Sequence, residues 1–198
     1  MKRIIAFLLV ALMVMSMAAC GTKAEGGKET TGNNETTAAK VEEPASALEV
    51  LENTWAKYAE DEKFFAMGGF TNDGAAAADN APGNVDMSTS DYLQYNLLVP
   101  ADNVSMVTDC ASIMHSMNAN TFTCGAYKVT DADAFVTAMQ TAIQGNQWMC
   151  GFPETLLAVN VGGVIVIAFG NGEVVTTFQN HLTEAYAGAE ILINEAIG

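Results

Sequence analysis

The chain is poor in positive charge. Of its 198 residues eight are Lys or Arg, against 23 Asp or Glu, and the formal net charge is −15. Two of the eight, Lys2 and Arg3, stand at the very start, and after Lys63 the only basic side chain is Lys128. Contacts to phosphate need Lys and Arg, so nucleic-acid binding is excluded. Anionic lipid heads repel such a body, so its own surface does not hold it at a membrane. Histidine is scarce too: His115 and His181 are the only neutral bases near pH 7. The sequence has no Gly-x-Ser-x-Gly elbow, no Cys-x-x-Cys and no glycine-rich loop followed by lysine. Those absences remove the usual signatures of hydrolase, dithiol and phosphate-loop chemistry. No period of about 20–50 residues repeats, so a solenoid is not expected.

What is present begins at the N-terminus. Lys2 and Arg3 precede an unbroken apolar run, Ile4 to Val14, and small residues then lead to Met17-Ala18-Ala19-Cys20-Gly21. A charged start, a short apolar core and small residues before a cut make a secretory signal peptide, too short and wrongly flanked for a spanning helix. The cysteine after the cut resembles the lipobox of bacterial lipoproteins, with Met17 where Leu is commoner. The resemblance implies a diacylglyceryl thioether on Cys20, with palmitate as a typical acyl chain, and a mature chain held on the outer face of the cytoplasmic membrane. Removal of residues 1–19 leaves six basic residues against 23 acidic, a balance of −17. An acidic surface attracts cationic partners and raises their encounter rates.

Residues 20–44 read as the lipidated cysteine and a flexible linker. Gly21 to Glu43 is Gly, Thr, Glu, Lys and Asn with almost no large apolar side chain, too little to offset its ordering entropy. At coil scaling these residues reach roughly 25–30 Å. Residues 45–198 then form a single domain, long enough for one core.

Within it, Ser46-x-x-Glu49 is a capping box, and Leu48, Leu51, Trp55 and Tyr58 follow at helical spacing, which predicts a helix over 46–61. Lys63 to Phe70 reads as extended, and Thr71 to Asp86 as an irregular loop whose Asp73, Asp79 and Asp86 lack calcium-loop spacing. A short helix is predicted from Ser88 to Asn96, capped by Ser88 or Ser90. Asp109 to Asn118 reads as a helix with Cys110, Met114 and Met117 on one face. Thr121 to Val129 is a strand in composition. A helix capped by Thr130 or Asp131 presents Phe135, Met139 and Ile143 and closes at Gly145. Trp148 to Pro153 makes a compact turn.

Leu156–Val161 and Val164–Phe169 flank Gly162-Gly163, a hairpin signal. Val164–Phe169 is apolar throughout and is expected to lie centrally in its sheet. Glu173 to Ala187 is the last helix, with Val174, Phe178, Leu182 and Ala185 inward, and Glu190 to Asn194 suits an edge strand. The order predicts an α+β domain: a mainly antiparallel sheet with helices packed on one face.

Two chemical readings compete with a purely structural one. Cys110, Cys124 and Cys150 remain after Cys20 is assigned to lipid, so a thiol-redox protein using Cys150 with Cys124 or Cys110 is one alternative. A Cys124–Cys150 bridge and three free thiols are both compatible with the spacing. The stripe of Cys110, Met114 and Met117, with His115 beside it, suits Cu(I) and makes a soft-metal protein the other alternative. A core face has the same composition and is favoured. No catalytic residue, cofactor or resident metal is expected.

Several segments taken together resemble a known family: Leu51–Phe65 with Trp55 and Asp61-Glu-Lys-Phe-Phe65, Tyr95-Asn-Leu-Leu-Val-Pro100, Ala111–His115 running into Met117–Thr123, and Gln147-Trp-Met-Cys-Gly-Phe-Pro-Glu154. With the lipobox they are similar to a family of small lipoproteins of Gram-positive bacteria, some named bacteriocin transport accessory protein. The resemblance spans essentially the whole chain. It implies a lipid-anchored extracytoplasmic accessory role in peptide export and assigns no catalytic residue. The expected partners are the membrane, through the anchor, and a protein or cationic peptide.

Overall fold

A computed structural model describes residues 41–88 and 90–198. The signal peptide, Cys20 and the linker up to residue 40 lie outside the described residues. The elements are α1 (Ala47–Trp55), β1 (Ala66–Gly68), β2 (Ala78–Asp79), β3 (Gly83–Asn84), α2 (Asp91–Tyr95), β4 (Val107–His115), β5 (Phe122–Val129), α3 (Ala132–Gln144), β6 (Thr155–Val161), β7 (Val164–Gly170), α4 (Gly172–Ala185) and β8 (Glu190–Ala196). Short 3₁₀ turns at Ala101–Met106 and Ala119–Thr121 lead into β4 and β5.

The strands form one sheet in the order β2-β1-β4-β5-β7-β6-β8, with β3 also paired to β4. Every named strand pair is antiparallel. The domain is therefore α+β with a single antiparallel sheet. Its centre is the hairpin of β6 and β7. Gly162 (φ +57°) and Gly163 (φ +99°) both take the positive φ that a type I′ turn requires. All seven residues of β7 are buried, because the strand has neighbours on both sides and helices on both faces.

Strand alternation sorts the core into two layers. Val164, Val166 and Ala168 face α1 and α4, packing with Leu51, Phe178 and Leu182. Ile165, Ile167 and Phe169 face α2 and α3, packing with Leu93, Phe135 and Met139. The helices thus occupy both faces rather than the one expected. A strand apolar at every position needs two coverings, and both amphipathic pairs are used.

Four local expectations are corrected. Asp109–Asn118 is not a helix but most of β4 and the turn after it. Cys110 and Met114 are four apart, which places them on one side of a helix and equally on one side of a strand. Pairing to β5 over seven residues decides for the strand. The helix predicted over 46–61 ends at Trp55 and continues as turns; Ser46 caps it by accepting from the Glu49 N–H at 3.1 Å. The loop 71–86 carries two two-residue strands, β2 and β3. Elsewhere α3 has Asp131 as N-cap and buries Phe135, Met139 and Ile143 as expected. In α4 the inward residue of the first turn is Val175 rather than Val174.

The outer edge, β8, is blunted. Its pairing with β6 shifts register between Ala158 and Val159, Glu190 and Glu195 stand near its two ends, and Gln144 of α3 donates to the Ala196 carbonyl at 2.9 Å. A bulge, charges and a covering helix are the means by which edges avoid pairing with other chains. Among the described residues no helix is long and apolar enough to cross a membrane.

Candidate functional site

Exposed apolar side chains gather where β4 ends, β5 begins and the segment before β6 turns back. Tyr95, Met117, Met149 and Phe152 are each more than three-quarters exposed. The loop that carries Met149 and Phe152 is strapped to the turn before β5 by two amides. The Asn118 Nδ2 donates to the Cys150 carbonyl at 3.0 Å, and the Asn120 Nδ2 to the carbonyls of Met149 (2.8 Å) and Gly151 (3.1 Å). These bonds hold Cys150 at φ +62°. Leu98, across the site, sits at φ +59°. Positive φ is uncommon for a non-glycine residue, and strain of this kind collects at binding clamps.

Two pockets open here. The first has a volume of about 230 Å³, lies between Tyr95, Leu98, Asn120, Trp148, Met149 and Phe169, and contains no charged side chain. Trp148 packs its ring on Phe169 at 5.4 Å, and its indole N–H is buried without an acceptor. The second, of about 200 Å³, lies between Met67, Gly69, Phe70, Tyr92 and Met114. Phe70 stacks on Tyr92 at 4.6 Å, and the Tyr92 hydroxyl is 3.0 Å from the Ser112 Oγ. Burial pushes that phenol up to about 12, so it stays neutral. Asn96 lines both pockets. It is exposed, and among the described residues its side-chain amide makes no hydrogen bond.

The domain as a whole is strongly acidic. Residues 41–198 carry three lysines against 20 carboxylates, so the whole balance of −17 sits on this domain. Each lysine is already paired: Lys57 with Glu184, Lys63 with Glu60 and Lys128 with Glu43, at 3.3, 2.7 and 3.6 Å.

The cysteines singled out in the sequence are not brought together. Cys110 packs in the layer under α2 and α3, Cys124 in the layer under α1 and α4, and Cys150 is exposed on the loop. Burial pushes both core thiols well above the ordinary range, so neither is a ready thiolate. All three are free. A thiol reagent is therefore expected to titrate one of these three thiols in the native protein, Cys150, and all three after denaturation. Two fast thiols in the native state would contradict this placement.

The soft-metal donors diverge as well. Cys110 and Met114 point into the core beneath α2 and α3, Met117 is exposed past the end of the strand, and the His115 Nδ1 accepts from the N–H groups of Met117 (3.3 Å) and Asn118 (3.4 Å). Among the described residues no three His, Cys, Asp or Glu side chains are grouped to hold a metal ion. Asp73 accepts from the Thr71 hydroxyl and Asp86 from the Ser88 N–H, bonds that lower both carboxyls and serve the turns. His181 lies elsewhere, its Nε2 3.2 Å from Glu62 and its ring against Tyr58 at 4.2 Å. Neither histidine is hydrogen-bonded to a cysteine or serine among the described residues. The arrangement offers two uncharged pockets, the first lined largely by amides with Tyr95 and Trp148 and the second mainly by apolar side chains, on a domain of net negative charge.

In the sequence Asn118 stands only as the end of an expected helix and Tyr95-Asn96 only as part of a family resemblance, and neither these residues nor Asn120 are marked there as a site. The exposed aromatic–amide pair Tyr95-Asn96 was the available signal. No family model matches the chain, and no curated protein or solved structure matches it.

Proposed function

We propose that this protein is a non-catalytic, lipid-anchored accessory protein that binds peptides on the outer face of the cytoplasmic membrane. The lipid on Cys20 holds it there, and the linker presents the domain away from the lipid heads. Its role is to receive a cationic, partly apolar peptide such as an exported bacteriocin. The observation that carries the reading is a pair of uncharged pockets set in a domain of net charge −17. Long-range attraction gathers basic peptides, and the pockets give them somewhere to dock.

The test is salt dependence. Binding of a lysine-rich amphipathic peptide to the purified chain is expected to weaken about tenfold or more between low salt and about 0.5 M, as the screening length shrinks. Calorimetry reads it directly. Absence of binding at low salt would remove the reading.

A further inference from the structure

We infer that the first pocket, beside Trp148, binds one neutral sugar ring, its hydroxyls held by side-chain amides and its apolar face laid on Tyr95. The inference goes beyond the peptide-binding reading and stands without it, since a sugar there leaves the second pocket and the acidic surface for a peptide.

The amides carry the argument. Asn96 follows α2, Asn146 and Gln147 follow α3, and Asn120 stands in the turn before β5, so amides reach this pocket from three parts of the chain. Among the described residues the side chains of Asn96, Asn146 and Gln147 make no hydrogen bond. The Asn120 Nδ2 is engaged by the Met149 and Gly151 carbonyls, which fixes the wall opposite in sequence, and its Oδ1 accepts from no group there. An amide offers one carbonyl and two N–H donors, and a hydroxyl both donates and accepts. A pyranose crowds several hydroxyls around one compact ring, so several free amides around one small space match it. A peptide residue would bring a single N–H and C=O to that space and leave most of the amides unused. The volume of about 230 Å³ is below the roughly 300 Å³ at which drug-sized sites begin, which suits one ring.

The remaining walls fit the same ligand. Tyr95 is 77% exposed, so its ring is free to receive the C–H face of a sugar while its hydroxyl stays wet. No charged side chain lines the pocket, so neither an ammonium nor a phosphate finds a partner in it. The net charge of the domain also repels anionic sugars. The ligand is therefore neutral.

The probes are glucose, galactose, mannose and N-acetylglucosamine, with glucose 6-phosphate and adenosine beside them. Binding to the full purified chain is read by calorimetry and by tryptophan fluorescence. At least one neutral sugar is expected to bind with Kd on the order of 1 mM, equally at low salt and at about 0.5 M, because it has no charge to screen. Asn96→Ala and Gln147→Ala, both at exposed positions, should each weaken it about fivefold, and Tyr95→Ala by a similar factor. Tyr95→Phe, which keeps the ring, should bind nearly as the parent does. Trp148→Phe should abolish the fluorescence change and leave the calorimetric signal. Denaturant midpoints equal to that of the parent show that the substituted chains fold.

No binding by any of the four sugars at about 50 mM would overturn the inference. Binding untouched by all three alanine substitutions would place the sugar elsewhere and overturn it too. Adenosine or glucose 6-phosphate binding more tightly than every neutral sugar would give the pocket to another ligand class, with the same consequence.

Discussion

Cys20→Ala is expected to abolish incorporation of labelled palmitate into this protein, while the unsubstituted chain carries the label. On the proposed lipidation of Cys20 the effect is all or none, because the next cysteine in the chain is Cys110. Two acyl chains anchor stably where one is marginal, since each buried methylene contributes about 0.8 kcal/mol. Among the described residues nothing compensates: the domain's charge repels anionic lipid, and no helix there is long and apolar enough to span a bilayer. Label retained in the substituted chain would place the acylation elsewhere and remove the assignment of Cys20.

Gly69→Ala is expected to destabilise the domain by about 3 kcal/mol or more and to destroy the second pocket. Two costs combine at this position. Gly69 sits at φ +63°, a left-handed conformation that costs an L-residue about 1–2 kcal/mol. An added Cβ would also overlap the backbone of Asn84 and Gly83. That backbone is not free to move. The Asn84 carbonyl accepts from the Phe70 N–H at 2.9 Å, and the Gly69 N–H donates to the Ser112 carbonyl at 3.1 Å. Relief would require the 70–86 segment to lift off the sheet, taking Phe70 away from Tyr92. Denaturant unfolding measures the shift, and a midpoint equal to that of the parent would contradict the packing described here. Since whole domains are stable by only about 5–15 kcal/mol, the loss is a large fraction.

The parts of the fold legible in the sequence are those fixed by local chemistry. Gly162-Gly163 between two apolar runs admits few readings other than a hairpin. Asp131 before Phe135, Met139 and Ile143 gives both a cap and a face. Ser46 and Glu49 mark a helix start. Where a pattern satisfies two periods at once, the sequence is silent, and Cys110 with Met114 is such a case. Only the pairing of β4 with β5 and β1 resolves it, and that information lies in other segments. The short strands β2 and β3 have no pattern of their own. They exist because Gly68, Gly69 and Gly83 let two backbones approach.

The site is less legible for the same reason. Its walls come from residues 67–76, 92–98, 114–123, 146–152 and Phe169, five parts of the chain brought together only by the sheet. Asn118 and Asn120 look like any turn asparagines until their amides are seen holding the Met149–Gly151 carbonyls. Exposure of Tyr95 and Phe152 depends on what packs beside them. Of the cysteines, the most conspicuous chemistry in the sequence, Cys110 and Cys124 end on opposite sides of the sheet and Cys150 on an exposed loop.

The central claim is that an acidic, peptide-binding domain works outside the cell on a lipidated Cys20. The intact mass of the protein isolated from its native membrane tests this most directly. The account predicts a mature chain beginning at Cys20 and heavier than its amino-acid sequence by a diacylglyceryl group. A chain still beginning at Met1, or one beginning at Cys20 without fatty acid, would contradict it.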